Sequence, residues 1–238
     1  MAASRMPLWV RRTHKWLSLV VGIQALLWVL GGLYMVAVPI EIVHGDHLAR
    51  SERPALRAEA ARIDPAALAA RYPGSSGFVF KQLGGREVVE VRQGKQVLLA
   101  DAASGAALAP LGRAQVEALA RAAYLGDGKL RAAEWLTTSP REVGGRPAPL
   151  WAVHFDDMVS TTLYYSPYSG ELVTRRHALW RWFDFVWMLH IMDYDTRDNV
   201  NNGFLRVFTW GAVLMVLSGA WLLLYSFHRK KKKKAARP

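Results

Sequence analysis

The chain has 238 residues, no cysteine and a formal net charge of +12. Without cysteine it can form no disulfide, no iron–sulfur cluster and no thioether-linked haem. A b-type haem stays open, because that cofactor needs only axial ligands such as histidine.

Two long apolar runs predict a membrane-spanning helix at each end of the chain. After a basic N-terminus at 1–15, residues 16–40 carry no charged side chain, and residues 204–227 carry only Arg206. A helix needs about 20 apolar residues to cross a hydrocarbon layer of about 30 Å. Since no small-residue cleavage signal follows the first run, we expect a retained anchor and not a signal peptide.

The distribution of charge predicts the orientation of these spans. Residues 41–203 contain all 19 acidic residues and an equal number of Lys and Arg. The excess of positive charge lies mainly before the first span and in the tail at 228–238. The positive-inside rule therefore predicts cytoplasmic termini and an extracytoplasmic segment 41–203, in a bacterial inner membrane. Next to a span, the lysine run favours contact with membrane lipid over binding of nucleic acid.

The segment between the spans is predicted to contain a repeated unit. Residues 41–63 read as an outer-interface segment and linker, which the first unit, 64–109, follows. That unit begins with Asp64 as a helix N-cap and Pro65 at the first helical position. The second unit, 110–176, repeats the order of one helix and about three antiparallel strands, and a serine–glycine pair closes each unit.

The segment before the second span is dense in Trp and Phe. We expect residues 177–192 to form an aromatic helix at the membrane interface. Residues 193–203 are rich in Asp and Asn, but they lack the glycine and glutamate of an EF-hand, so a helix-capping turn is favoured over a calcium loop. The predicted fold class is an α+β membrane protein, with two transmembrane helices flanking an extracytoplasmic tandem of helix-plus-strand units.

Three motifs occur in a fixed order along the chain. HKWLSL starts at His14, YYSPYSGELV starts at Tyr164, and a Leu-His pair ending at His190 precedes SGAWLLLY. With them, the chain resembles the PepSY-associated transmembrane helix family, and each repeated unit is similar to a PepSY domain. Larger members have four or more spans, and some resemble membrane reductases that bind haem. The resemblance implies a role in transmembrane electron transfer or in metal (iron) reduction.

Five histidines at the predicted membrane edges are candidate ligands of a b haem. They are His14 and His228 on the cytoplasmic side, and His44, His47 and His190 near the outer side. Pairs of these could hold one bis-histidine haem near each face of the membrane. For His14 and His228, a role as basic interfacial residues is favoured. For His190 both interpretations stay open, because a lone ionisable side chain in a long aromatic helix is unusual.

Two helices enclose a porphyrin poorly, so such a site would need a homodimer or another membrane protein. His44, Asp46 and His47 are also a candidate metal site, although their spacing matches no strong metal motif and a polar loop is favoured. His177 is expected at the headgroup level, and His154 on a solvent-facing strand.

Two functions follow from these patterns. The first is electron transfer or metal reduction, in which a partner must supply nicotinamide or flavin, because the sequence holds no dinucleotide fingerprint and no phosphate loop. The second is a non-catalytic accessory or regulatory subunit, whose extracytoplasmic units dock on or inhibit a partner.

Overall fold

The computed structural model describes residues 6–51, 54–57 and 62–235, with their side chains between residues 8 and 224. The chain divides into two compact units. We call the residues up to Pro39 and from Trp182 onward the helical unit, and Ile40–Arg181 the sheet unit.

The helical unit is built on two long helices, α1 (Met6–Ala37) and α6 (Gly203–Ala235). Within them, Leu8–Ala37 and Gly203–Leu224 are long and apolar enough to cross a membrane, as predicted for the two ends of the chain. Many of their large apolar side chains are exposed, which is the arrangement expected where lipid tails replace water as the surrounding medium.

Helices α1 and α6 pack against each other in antiparallel orientation. His14 contacts Ser218 at one end of the pair, and Val21 approaches Gly211 farther along it. A Cβ atom added at Gly211 would lie 3.0 Å from a methyl group of Val21. Small residues therefore bring the two helix backbones close together, as they do in other membrane helices.

The sheet unit opens with the short helix α2 (Ile40–His44) and continues with the two predicted repeats. The first repeat contains α3 (Pro65–Arg71) and an antiparallel sheet of β1 (Gly77–Leu83), β2 (Arg86–Gln93) and β3 (Gln96–Asp101). The second contains α4 (Arg113–Ala123) and an antiparallel sheet of β4 (Lys129–Leu136), β5 (Leu150–Asp156), β6 (Thr162–Tyr165) and β7 (Leu172–Arg176).

The second repeat has one strand more than the sequence predicted. Its closing tail turns at Gly170 and runs back along β6 as β7. In the first repeat the same turn at Gly105 is followed only by the isolated bridge between Ala100 and Ala107. A tail of similar sequence thus pairs with the preceding strand in both repeats, but over different lengths.

The two closing turns have the same hydrogen bonds, which shows that the repeat is structural. The carboxylate of Asp101 accepts from the backbone N–H groups two and three residues later, and the hydroxyl of Ser166 does the same. In each turn a glycine closes the loop with positive φ, +65° at Gly105 and +69° at Gly170. Only glycine adopts this conformation at little cost.

The cores explain how the two repeats form one unit. Leu68 of α3 packs on one face of the first sheet, against Val89 and Val91. Side chains from the opposite face of that sheet enter a larger core that also includes α4 and the second sheet. This shared core contains Val88, Leu99, Val116, Ala120, Val153, Phe155 and Leu163.

The segment predicted at 41–63 as outer interface and linker is described only in part, since residues 52–53 and 58–61 lie outside the described residues. Residues 54–57 and 62–64 have neither helix nor strand structure. Ile63 nevertheless donates a backbone hydrogen bond to Ala102, so the end of this segment is attached to the first repeat.

Candidate functional site

The next helix is α5 (Ala178–Ile191), and its residues from Trp182 onward belong to the helical unit and pack on α1. Tyr34 contacts Phe183, Gly31 faces Val186, and Gln24 donates to the carbonyl of Leu189, 2.9 Å away. The contacts show that α5 runs antiparallel to the second half of α1. They also supply the partner that a buried amide in an apolar helix requires.

A glycine allows this close contact. A Cβ atom added at Gly31 would lie 3.0 Å from Val186 Cγ1 and 4.0 Å from His190 Nδ1. The location of α5 at a membrane interface stays a prediction.

Two tryptophans of the helical unit lie close to the ring of His190. That ring is nearly parallel to Trp187, one turn earlier in α5, with an interplanar angle of 9° and centroids 6.3 Å apart. The ring of Trp28 on α1 is tilted by 53° at a centroid distance of 6.4 Å, and Trp28 donates its indole N–H to the carbonyl of His190. Both the ring and the backbone of His190 are therefore held in place.

The two ring nitrogens of His190 have different surroundings. Nδ1 is buried and has no hydrogen-bond partner among the described residues. Nε2 also forms no hydrogen bond with a described residue, but unlike Nδ1 it is not fully buried. An imidazole held in this way presents Nε2 at the surface of the helical unit, where a metal or a donor from another molecule can approach it.

His14 has the opposite surroundings. Its Nδ1 lies 2.8 Å from the hydroxyl of Ser218, and its Nε2 lies 3.4 Å from that of Ser18. A Cβ atom at Gly219 would lie 3.1 Å from the imidazole ring. His14 thus joins α1 to α6 through Nδ1 and contacts its own helix through Nε2, and an iron ligand at this position would have to give up one of these contacts.

His14 and His190 do not meet in one chain. His190 contacts α1 at Trp28, which follows His14 by about four helical turns, or about 20 Å along the helix axis. The side chain of the third candidate in this unit, His228, lies outside the described residues. The structure therefore brings no second histidine to His190 among the described side chains of the helical unit.

The polar turn after α5 is organised by Asp193. Its carboxylate accepts hydrogen bonds from the Thr196 hydroxyl at 2.6 Å and from four backbone N–H groups. These donors hold the pKa of Asp193 well below its usual range, with the Thr196 hydroxyl contributing most. Asn202 then links the two helices, because it accepts from Leu205 N–H and donates to the carbonyl of Ile191. This is the helix-capping turn that the sequence favoured over a calcium loop.

The segment His44 to His47 belongs to the sheet unit. His44 is exposed, Asp46 accepts from Arg175 at 2.6 Å, and the ring of His47 lies edge-on to that of His177 at 5.9 Å. Among the residues that the structure describes, no group of three or more His, Asp or Glu side chains could hold a metal ion. The metal site at His44, Asp46 and His47 stays a prediction.

Little in the sequence singles out His177 as a buried residue. It is 1% exposed, and its Nε2 donates to the carbonyl of Val43. Gly45 with φ +74° packs against the ring, where a Cβ atom would lie 3.2 Å from Cδ2. Burial, with the nearby positive charges of His47 and Arg181, keeps the pKa of His177 below its ordinary value despite the carbonyl contact. Its place after two arginines suggested the headgroup level, and no sequence signal pointed to the carbonyl partner.

A polar cavity of about 570 Å³ lies on the sheet of the second repeat. His154 lines it, with Nδ1 bonded to Thr162 at 3.1 Å and Nε2 3.7 Å from the carboxylate of Glu134. Arg181 lines it too and forms an ion pair with Glu142 at 2.9 Å. The strand predicted to face solvent therefore faces a recess with both signs of charge, suited to a polar ligand.

A protein-family model described as PepSY-associated TM region matches residues 11–238. Comparison with curated proteins gave no match, and neither did comparison with solved structures. The match covers both long helices and the whole sheet unit, including His14, His190 and the polar turn.

Proposed function

The chain belongs to the PepSY-associated TM region family, and we propose that it takes part in electron transfer across the membrane or in the reduction of a metal such as iron. One observation carries this proposal. His190 presents an unbonded Nε2 close to two tryptophans, on a helix that packs against a membrane-spanning helix. A neutral imidazole nitrogen is a good ligand for iron, and no other described histidine of the helical unit has a free ring nitrogen at its surface.

A b haem fits His190 in part. His190 would hold the haem iron through Nε2, next to the indole rings of Trp28 and Trp187. A second ligand would come from elsewhere, since His14 lies about 20 Å away along α1. A second copy of this chain, with its own His190, or another membrane protein would supply that ligand. When bound, haem would supply one-electron redox chemistry, while this chain would orient the ligand and exclude water.

Haem content per chain tests this arrangement. We expect the chain purified in mild detergent from a haem-replete host to carry one haem per two chains, or one per complex with another membrane protein. His190→Ala is expected to lose most of that haem, whereas His154→Ala, a histidine of the sheet unit, should keep it. Wild-type protein with less than a tenth of a haem per complex would contradict the proposal.

The proposed location is a bacterial inner membrane with both termini in the cytoplasm, which the basic flanks of the spans support. Because the chain has no cysteine, single introduced thiols can be labelled without background. In spheroplasts, we expect Lys95→Cys in the sheet unit to react with a membrane-impermeant maleimide, and Arg237→Cys in the tail to stay unlabelled. The reverse pattern would overturn the orientation.

A second candidate function is that of an accessory or regulatory subunit. The polar cavity beside His154 and Glu134 favours it, because a polar cavity can bind a ligand or partner without a redox cofactor. In this case the helices only hold the sheet unit near a membrane partner. A stable complex that assembles with His190→Ala but fails with Glu134→Lys would favour this function over the first.

A further inference from the structure

A groove between α1 and α6 has a chemistry that neither proposed function uses. Its volume is about 600 Å³, and its lining is almost wholly aliphatic and aromatic. Trp9 and Trp16 of α1 lie along one side, and Val207 of α6 lies on the other. The close approach of Val21 to Gly211 closes its floor at one end. We propose that this groove binds one anionic phospholipid, with an acyl chain along the groove and the phosphate on Arg12.

The length of the groove matches one leaflet of a bilayer. From Arg12, where we place the phosphate, its lining runs along α1 to Val21, which is about 14 Å at the helical rise of about 1.5 Å per residue. Half of a hydrocarbon core of about 30 Å is about 15 Å. An acyl chain that lies in the groove therefore reaches from the headgroup level close to the middle of the bilayer.

The charge at one end of the groove selects an anion. Arg12 lines the groove one helical turn from Trp9, and the chain has no acidic residue before Glu41. No carboxylate of α1 therefore competes for its guanidinium. Because α6 is antiparallel to α1, the lysine run of α6, 230–234, lies toward the same end of the helix pair. Arginine forms two parallel hydrogen bonds to a phosphate, and basic pockets between membrane helices bind anionic headgroups.

The aromatic side chains fit the same occupant. Trp9 is 72% exposed and Trp16 is 56% exposed, so more than half of each residue lies outside the packing of the helical unit. Indole rings prefer the headgroup boundary, where one edge is apolar and the other is wet. Together with Arg12 they form a polar and aromatic end of the groove, next to its apolar part.

The experiment compares matched pairs of variants. The two substitutions of a pair make a similar change on α1, but only one of them is at a residue that lines the groove. Arg12→Gln removes the proposed phosphate ligand, and Arg11→Gln removes the adjacent charge, which does not line the groove. Val20→Trp fills the apolar part of the groove, and Leu19→Trp places a side chain of the same size at the neighbouring exposed position. Each variant is purified in mild detergent, mixed with phosphatidylglycerol or phosphatidylcholine, and analysed by native mass spectrometry.

We expect one phosphatidylglycerol per chain on the wild type, Arg11→Gln and Leu19→Trp. Arg12→Gln and Val20→Trp should each reduce that occupancy at least fivefold, and phosphatidylcholine should bind at least fivefold less well than phosphatidylglycerol. Equal losses in Arg12→Gln and Arg11→Gln would overturn the site in favour of general attraction to charge. So would equal binding of the two lipids, or a homodimer that covers the groove and excludes lipid. Because no variant alters His190, these outcomes are independent of haem content.

Discussion

The indole N–H of Trp28 donates to the backbone carbonyl of His190 at 2.8 Å, so one membrane-spanning helix holds the end of the aromatic helix α5. We expect Trp28→Phe to destabilise the helical unit by about 1 kcal/mol, because it keeps the ring but leaves a carbonyl without its donor. Unfolding in mixed micelles at rising sodium dodecyl sulfate measures the change. Trp210→Phe, at a position 69% exposed on α6, is the control and should have little effect.

The contact between α1 and α5 also depends on Gly31. Gly31→Ala would place a methyl carbon 3.0 Å from Val186 Cγ1, which is tighter than ordinary van der Waals contact, so that Val186 must move. We expect a loss of about 1–3 kcal/mol in the same unfolding assay. Gly32→Ala is the matched control, since no described atom outside the immediate neighbours lies within 4 Å of its added Cβ. Equal effects of the two substitutions would mean that α5 does not pack on α1 as described.

The closing turn of the second repeat offers a second matched pair. Gly170 and Gly145 have nearly equal positive φ values, +69° and +70°. A Cβ atom at Gly170 would lie 2.6 Å from Leu83 of the first repeat, whereas at Gly145 it would meet no described atom within 4 Å. Backbone strain should cost about 1 kcal/mol in both alanine variants. The midpoint temperature of thermal unfolding should be lower for Gly170→Ala than for Gly145→Ala, because only the methyl group at 170 must displace Leu83 of the first repeat. Similar midpoints for the two variants would contradict the shared core.

The buried His177 predicts a pH dependence of the sheet unit. Its pKa is lowered in the folded chain, so the unfolded chain binds the proton more readily. The contribution of buried, neutral His177 to the free energy of unfolding is therefore complete above the ordinary histidine pKa of about 6.5. It falls as the pH drops through that value. His177→Gln should flatten the dependence of the unfolding free energy between about pH 7.5 and pH 5.5, and His154→Gln should leave it in place. An unchanged slope in His177→Gln would show that other groups cause the acid sensitivity.

Local signals in the sequence were enough to predict most elements of the fold. Asp64 caps α3 and accepts from Ala66 N–H as its position before Pro65 indicated. One glycine pair at 84–85 and a single glycine at 94 lie in the two turns that separate the strands of the first sheet. These features are encoded by neighbouring residues, and turn chemistry and capping depend little on distant parts of the chain.

Other features depend on contacts between residues far apart in sequence, which the pattern alone does not specify. The tail after Gly170 forms β7 because it pairs with the free edge of β6. The residues of the tail do not specify this pairing by themselves. The burial of His177 depends on the carbonyl of Val43, 134 residues earlier. For His190 the sequence identified the residue, but its two tryptophan neighbours and its free Nε2 emerge only from the packing of α5 on α1.

The central proposal is that His190 would hold a haem, and an absorption spectrum of the detergent-purified chain tests it most directly. We predict a Soret band that shifts on reduction with dithionite in the wild type and in His154→Ala. In His190→Ala the band should fall to less than a tenth of that intensity while the protein stays folded. A colourless wild-type protein from a haem-replete host, or an undiminished band in His190→Ala, would contradict the claim.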